Sequence, residues 1–230
     1  MKAGILSDFH FCTAENTCDT GRRGEIADHL LNVAITELKK YTPDILLVLG
    51  DLVNVPSDME SLKTIADILK KIDLPMIVLP GNHDPAPEQF YTLIPRPPEH
   101  LDIKNYRLVP YCDEQTAGWN ARRSAADIAR QKYHRQAFSG KIISLQHVPL
   151  FEPGCAHSPF SYDNMDEVVD GSFDFSVSGH LHWGFSGICG KQMRAWTVPA
   201  LCESPFRFGL WDFDTDSVSI FALENKNTKF

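Results

Sequence analysis

In the stretch Asp44-Ile45-Leu46-Leu47-Val48-Leu49-Gly50-Asp51, the residues after Asp44 form an apolar run of strand length that is followed by a glycine and a carboxylate. It lacks the alternation of a half-buried strand, so it predicts a strand that is covered on both faces, as in a parallel sheet. Two similar short strands are predicted before and after it, at Lys2 to Ser7 and at Met76 to Leu79. Apolar stripes at helical spacing predict a helix in each interval: Ile26, Leu30, Ala34 and Leu38 within Glu25 to Lys40, and then Leu62, Ile65, Ala66, Leu69 and Ile72.

Strand, helix, strand, helix, strand in the first 80 residues predicts a largely parallel sheet with right-handed crossovers. Ser57 and Glu60 have the spacing of a capping box for the second helix. Further along, the pattern predicts a proline-rich loop, a helix and several strands: a loop at Pro85 to Pro98, a helix at Ala121 to Gln136, and strands at Tyr106 to Tyr111, Lys141 to Gln146, Phe173 to Ser178, Phe208 to Phe213 and Val218 to Ala222. The last two strands flank Asp214-Thr215-Asp216, which is typical of a hairpin.

The composition is that of a globular chain, and we interpret residues 1–230 as a single domain. The 230 residues are 43% hydrophobic, enough for a buried core, and no run of 18 apolar residues predicts a membrane span. Six cysteines form no C-x-x-C pair, and no charged and apolar leader precedes the first strand, so reduced thiols and a cytoplasmic location are expected. The net charge of −8 disfavours binding to long nucleic acid and favours a small phosphorylated substrate.

Five short blocks of metal-binding residue types lie in order along the chain: Asp8-Phe9-His10, Gly50-Asp51, Gly81-Asn82-His83-Asp84, His147, and Gly179-His180-Leu181-His182. Three of them directly follow the predicted parallel strands, whose carboxyl ends form the usual ligand-binding edge of such a sheet. Together the blocks supply enough oxygen and imidazole ligands for two metal ions, which predicts metal-assisted hydrolysis. Asp51 is the candidate for a carboxylate that spans both ions.

The order and spacing of the blocks resemble the calcineurin-like metallophosphoesterase family, with its D-x-H, G-D, G-N-H-[DE], H and G-H-x-H motifs. The resemblance runs from Asp8 to His182 and implies an α/β fold, a four-layer α-β-β-α sandwich of two mixed sheets flanked by helices. It also implies a ligand set for each of two divalent ions: Asp8, His10, Asp51 and His182 for one, and Asp51, Asn82, His147 and His180 for the other. Ligation by nitrogen and oxygen accommodates manganese, iron or zinc, and the sequence does not choose among them.

Two further residues follow the presumed ligand Asn82. The resemblance implies that His83 lies near the leaving-group oxygen and protonates it or binds the phosphate, with Asp84 orienting the His83 ring. At Asn54 the family often has an aspartate. This sequence therefore lacks a carboxylate from that strand, and Asp84 is the expected partner of His83.

Substrate contacts are less strongly specified. Arg22 and Arg23 are candidates to contact a substrate phosphate, with simple solvation as the alternative. His157 lies in the loop from Phe151 to Tyr162, which follows a presumed ligand and could arch over the metals. Several aromatic residues flank the motifs and are candidates either to stack on a nucleobase or to join the core: Phe9, Phe11, Phe151, Phe160, Tyr162 and Trp183.

Among branches of the family, the chain most resembles class III cyclic nucleotide phosphodiesterases and their bacterial relatives. We expect a phosphodiesterase that attacks a small substrate, a cyclic nucleotide among the candidates, with a hydroxide that bridges the metals. The alternatives are a phosphomonoesterase such as a nucleotidase, then a nuclease, and a non-catalytic scaffold of the same fold. The oligomeric state is left open.

Overall fold

The computed structural model describes residues 1–13, 21–151, 158–190 and 192–224. The helices are α1 Ala27–Lys39, α2 Met59–Leu69, α3 Pro87–Phe90, α4 Ala125–Ala137 and α5 Met165–Val168. The strands are β1 Lys2–Leu6, β2 Ile45–Leu49, β3 Met76–Leu79, β4 Leu101–Ile103, β5 Tyr106–Pro110, β6 Glu114–Thr116, β7 Asn120–Arg122, β8 Lys141–Leu145, β9 Phe175–Ser178, β10 Phe185–Cys189, β11 Met193–Thr197, β12 Arg207–Asp212 and β13 Ser217–Ala222. In the part of the chain that is described, no helix combines the length and the apolar character needed to cross a membrane.

Two mixed sheets and a small hairpin contain all of these strands. The first sheet has the order β13-β12-β1-β2-β3, with β1, β2 and β3 parallel as predicted and β12 antiparallel to β1. The second sheet has the order β10-β11-β9-β8-β5-β4, and its four central strands are parallel. Strands β6 and β7 form a separate two-stranded hairpin.

The two sheets pack face to face, and helices cover their outer faces. Alternate side chains of β2 point to opposite sides: Ile45, Leu47 and Leu49 meet the second sheet, while Leu46 and Val48 meet α1 and α2. A third apolar cluster joins the second sheet to α4 and α5. This is the expected four-layer α-β-β-α sandwich, so the predicted fold class is confirmed. The unbroken apolar sequence of β2 follows from its burial on both faces.

Some local predictions were wrong because polar side chains compete for helix ends. The second helix begins after Asp58, whose carboxylate accepts hydrogen bonds from Ser61, and the expected Ser57 cap is not used. Helix α4 begins after Ser124, which accepts a bond from the Asp127 backbone. The residues just before it form β7, where helix had been predicted. Within the proline-rich segment, Pro87 starts the short helix α3.

A buried ion pair anchors the β6–β7 hairpin to the second sheet. The Arg123 guanidinium, fully buried, donates two hydrogen bonds to Asp113, of 2.9 and 2.8 Å, and lies 3.6 Å from the centre of the Tyr111 ring. Tyr162 Oη donates to the same carboxylate at 2.7 Å. Burial works against the charge of Arg123, but Asp113 raises its pKa above the ordinary value. The pair therefore holds both ends of the hairpin in place.

We expect Asp113→Asn to lower the free energy of unfolding by about 3–5 kcal/mol, because it leaves the buried Arg123 charge without a counter-ion. Urea unfolding followed by circular dichroism measures the loss. The matched control is Asp67→Asn, which removes an exposed pair with Lys70 and should change stability little. A loss below about 1 kcal/mol in Asp113→Asn would show that the pair does not hold the hairpin.

Candidate metal centre

The motif residues directly follow parallel strands of both sheets and lie together at the carboxyl ends of those strands. Asp8 and His10 follow β1, Asp51 follows β2, and Asn82 follows β3. From the second sheet, His147 follows β8, and the pair His180 and His182 follows β9. All seven residues predicted as metal ligands thus come together at the carboxyl ends of the parallel strands, as the general rule for such sheets anticipates.

Several of these residues have an uncommon backbone conformation. Asp8, His10, Asp51 and His180 all have positive φ angles, of 56°, 45°, 54° and 68°. For residues other than glycine this left-handed conformation is strained, and it persists only where the surroundings impose it. Here the backbone nitrogens of Asp8 and His10 donate to the carbonyls of Gly50 and Asp51, at 3.0 and 2.9 Å. The loops after β1 and β2 therefore hold each other in the strained form.

The first cluster contains Asp8, His10, His182 and one oxygen of Asp51. His182 Nε2 lies 3.5 Å from Asp8 Oδ1 and 3.3 Å from His10 Nε2. His10 Nε2 in turn lies 3.5 Å from Asp51 Oδ2. Asp8, His10 and Asp51 are almost completely buried. Two imidazole nitrogens and two carboxylates facing one small volume form a donor set that suits a divalent cation.

The second cluster lies on the other side of Asp51. His147 Nε2 is 3.3 Å from Asp51 Oδ2, 3.0 Å from Asn82 Oδ1 and 3.2 Å from His180 Nδ1. Asp51, His147 and His180 each offer an atom such that all three lie within 4.8 Å of one another. Asp51 Oδ2 therefore borders both clusters.

The hydrogen bonds at the back of the imidazole rings fix which nitrogen faces the cluster. His147 Nδ1 lies 2.6 Å from the Leu49 carbonyl oxygen, and His180 Nε2 lies 3.0 Å from the Trp119 carbonyl oxygen. A carbonyl can only accept, so each of these nitrogens carries the proton. The opposite nitrogens, His147 Nε2 and His180 Nδ1, then face each other at 3.2 Å. Both nitrogens point into the second cluster, in the orientation that a bound cation needs, so the residues fit a metal ion.

The site contains buried carboxylates whose negative charge is balanced by neighbouring histidines. Burial raises the pKa of Asp8, but the hydrogen bond and charge of His182 lower it to about 2. Burial opposes charge on His147, yet Asp51 raises its pKa to about 9. In the same way Asp8 and Glu203 raise the pKa of His182 to about 10. Without an ion, protons on these two rings balance the buried carboxylates, and this is the charge that a divalent cation supplies when it binds.

His83 lies beside both clusters, but its ring is oriented differently from the prediction. His83 Nδ1 donates to the backbone carbonyl of Asn54 at 2.8 Å, and the His83 backbone nitrogen donates to Asp51 Oδ1 at 2.8 Å. The expectation that Asp84 orients this ring was wrong. Since a carbonyl oxygen serves as the partner, the Asn54 side chain is not needed for this contact.

Asp84 instead ties two loops together. Its Oδ1 accepts from the backbone nitrogens of Leu52 and Val53, at 2.8 and 3.1 Å, and its Oδ2 accepts from Gly81 at 2.8 Å. Burial, together with the nearby charge of Asp51, raises the pKa of Asp84 to about 7. The carboxylate thus joins the loop after β2 to the loop after β3, which carries Asn82 and His83.

The predicted substrate contacts separate into three cases. Arg22 lines the cavity over the clusters, with one guanidinium nitrogen 3.5 Å from His10 Nδ1. The Arg23 side chain forms an ion pair with Glu25, and Arg23 does not line the cavity in the described part of the chain. His157 lies outside the described residues.

Two functional neighbours were missed by sequence reasoning. Glu203 Oε1 accepts from His182 Nδ1 at 2.5 Å, and so fixes that ring with Nε2 toward the first cluster. Trp119 lies at the turn of the β6–β7 hairpin and supplies the carbonyl that orients His180. Neither belongs to a motif, and both approach the site from segments that lie far from its ligands in sequence. In addition, the sulfur of the buried Cys202 lies within 4.8 Å of one nitrogen each of His10 and His182.

Comparisons with known proteins agree with this fold. Two clusters of imidazole and carboxylate groups lie at the junction of the two mixed sheets and form donor sets that suit divalent cations. Residues 1–184 match the family model described as calcineurin-like phosphoesterase, and the chain belongs to that family. This membership supports a metal-dependent phosphoester hydrolase. A comparison with curated proteins found no match.

Several solved structures share the fold at low sequence identity. A dimetal phosphatase from Danio rerio is 13% identical with a TM-score of 0.71, and the match covers 97% of this chain and 99% of that one. A protein of Thermus thermophilus is 13% identical with a TM-score of 0.69, and the covered shares are also 97% and 99%. A purple acid phosphatase from yellow lupin seeds is 14% identical with a TM-score of 0.58, covering 91% of this chain and 48% of the other. At these identities the likeness establishes the fold.

We expect Glu203→Ala to lower the affinity for Mn²⁺ by about 10–100-fold, because His182 loses the acceptor that fixes its ring. Isothermal titration calorimetry of metal-free protein measures the change. Glu203→Gln keeps a side-chain acceptor and should lose less, while Glu60→Ala, at an exposed position on α2, is the control for a lost surface charge. Equal affinities in wild type and Glu203→Ala would contradict a role of Glu203 in orienting a ligand.

Proposed function

We propose that the chain is a two-metal phosphodiesterase that hydrolyses a small substrate, with a cyclic nucleotide among the candidates. The observation that carries the proposal is the position of Asp51 Oδ2, which lies 3.5 Å from His10 Nε2 and 3.3 Å from His147 Nε2. One carboxylate oxygen shared by two ligand clusters suits two ions held close together. Asp8, His10, Asp51 and His182 would hold one ion, and Asp51, Asn82, His147 and His180 the other.

Two divalent cations would neutralise the phosphoryl oxygens and lower the pKa of bound water. The chain's own residues provide the remaining functions. His83 is the candidate general acid: its Nδ1 proton is held by the Asn54 carbonyl, so in the imidazolium form Nε2 carries the proton that would pass to the leaving-group oxygen, leaving a neutral ring. Arg22 lines the same cavity and would contact an anionic phosphoryl oxygen.

Two cavities that adjoin the clusters support a diester over a monoester. One, of about 380 Å³, is lined by Asp51, Asn82, His83 and His180. The other, of about 320 Å³, is lined by Asn82, Asp84 and His147. Each is large enough for a small organic group. A phosphodiester carries two such groups on one phosphorus, so the two cavities that meet at Asn82 would receive one each, whereas a monoester would leave one empty.

The proposal is tested by hydrolysis of bis(p-nitrophenyl) phosphate against p-nitrophenyl phosphate with added Mn²⁺. We expect the diester to have the higher kcat/KM, and Asp51→Asn to lower kcat by more than about a hundredfold, since even outer partners of metal ligands are worth about 10–100-fold. An asparagine keeps an oxygen for the His83 backbone nitrogen, so the loop should remain in place. Asp67→Asn, on the exposed face of α2, is the control.

Preference for the monoester would overturn the diester proposal in favour of a phosphomonoesterase. Absence of metal-dependent turnover with either substrate would contradict catalysis on these esters and favour the scaffold. Repeating the assay with Mn²⁺, Fe²⁺ and Zn²⁺ orders the candidate metals. The cytoplasmic location and the single domain stay predictions from the sequence.

A further inference from the structure

Two of the four tryptophans of the chain lie at the cavity over the metal clusters rather than in the core. Trp196 and Trp211 are buried between the sheets, with 1% and 0% of their surface exposed. Trp119 and Trp183 are 53% and 62% exposed, and both line the 380 Å³ cavity together with Asp51 and His180. Large exposed apolar groups that share one cavity typically mark a binding site.

Trp119 is held in place by its own backbone. It ends the turn of the β6–β7 hairpin with φ 63°, after Gly118 with φ 74°. Its carbonyl oxygen lies 3.0 Å from His180 Nε2, and its indole is stacked on the His83 ring at 13° and 5.9 Å between centres. The indole thus lies nearly parallel to the ring of a candidate catalytic histidine, and about half of the residue remains exposed. The buried Arg123–Asp113 pair fixes the strands behind it.

Trp183 lies in the connection between β9 and β10 of the second sheet. It directly follows the candidate ligand His182, and Gly184, with φ 72°, closes the turn by donating from its nitrogen to the Leu181 carbonyl at 2.7 Å. The two indoles therefore reach one cavity from separate elements. Each is adjacent to a candidate metal ligand, so a ring bound in this cavity would lie close to the metal clusters.

We propose that Trp119 and Trp183 form a stacking subsite for the nucleobase of a nucleotide substrate. The inference rests on the proposed function, since the phosphoryl group of the same molecule would lie at the metal clusters. Phe160, whose ring centre is 4.2 Å from that of His180, adds a third aromatic wall. Stacking is tolerant of base identity, so the subsite would distinguish a planar ring from an aliphatic group and would distinguish bases only weakly.

Charges around the cavity favour a nucleotide over a lipid ester. Arg22 and Glu203 line it beside the indoles, and the Glu203 side chain is partly exposed while it pairs with His182. An acyl chain in this space would bury against charged groups, which is costly. A nucleotide offers a planar ring to the indoles and polar ribose hydroxyls to the charged side chains.

The experiment compares two phosphonates that the enzyme cannot hydrolyse at their carbon–phosphorus bond. One is 9-(2-phosphonomethoxyethyl)adenine, and the other is its ring-free counterpart 2-(phosphonomethoxy)ethanol. Binding to the Mn²⁺-loaded protein is measured by calorimetry, with no turnover required. We expect the wild type to bind the adenine compound at least about tenfold more tightly than the ring-free compound. This is the gain in affinity that the stacking of one base on an aromatic side chain provides.

Trp119→Ala and Trp183→Ala should each remove most of this difference while the Kd of the ring-free compound stays the same. Trp119→Phe should restore much of it, which a purely structural role of the indole would not predict. Tyr133→Ala, at an aromatic position of α4 that is 62% exposed and lies outside the cavity lining, should change nothing. The carbonyl contact to His180 comes from the backbone, so it is retained in both Trp119 variants.

Equal affinity of the two phosphonates in the wild type would overturn the subsite, as would a tenfold preference that survives both alanine substitutions. The two proposals fail separately. Diester hydrolysis that depends on Asp51, without a preference for the adenine compound, overturns the stacking subsite alone. A preference that depends on Trp119, in a protein without hydrolytic activity, supports the subsite and overturns catalysis alone.

Discussion

Asp51 is the residue through which the two sheets and the loops of the site are connected. Its carbonyl oxygen accepts from the backbone nitrogens of Phe9 and His10, at 2.8 and 2.9 Å, and its Oδ1 accepts from His83 at 2.8 Å. Its Oδ2 lies 3.3 Å from His147 of the second sheet. The residue is 2% exposed and has a left-handed backbone. A buried carboxylate with positive φ is costly, so its surroundings must satisfy both its charge and its geometry.

Close packing around Asp51 follows from that constraint. Gly81 lies against the Asp51 side chain, and a Cβ placed there would be only 2.3 Å from Asp51 Oδ1. Asp84 then accepts hydrogen bonds from the Gly81 nitrogen and from the loop after β2, so it links the loops that carry Asp51 and Asn82. Hydrogen bonds at the outer sides of the candidate ligands orient their donor atoms toward the clusters.

The β6–β7 hairpin contributes to the walls of the site, although it contains none of the ligand motifs. It borders both cavities, since Glu114 and Ala121 line one and Trp119 lines the other. Through the Trp119 carbonyl it also reaches His180. A short hairpin would not be stable by itself, and here the buried Arg123 charge links it to Asp113, Tyr162 and the second sheet. One element therefore lines both cavities and also orients the His180 ring.

The sequence by itself determined the strands with unbroken apolar runs, their parallel order and the set of residues brought together at their carboxyl ends. Those features are local: the apolar period reports burial, and a ligand that directly follows a parallel strand has only one edge of the sheet to occupy. The tertiary structure alone decided the partner of His83, the role of Asp84 and the parts played by Glu203 and Trp119. Each of these depends on which carbonyl or carboxylate from a distant segment comes within hydrogen-bond distance. No periodicity or spacing encodes such a contact, because it is fixed by how the two sheets and the hairpin pack together.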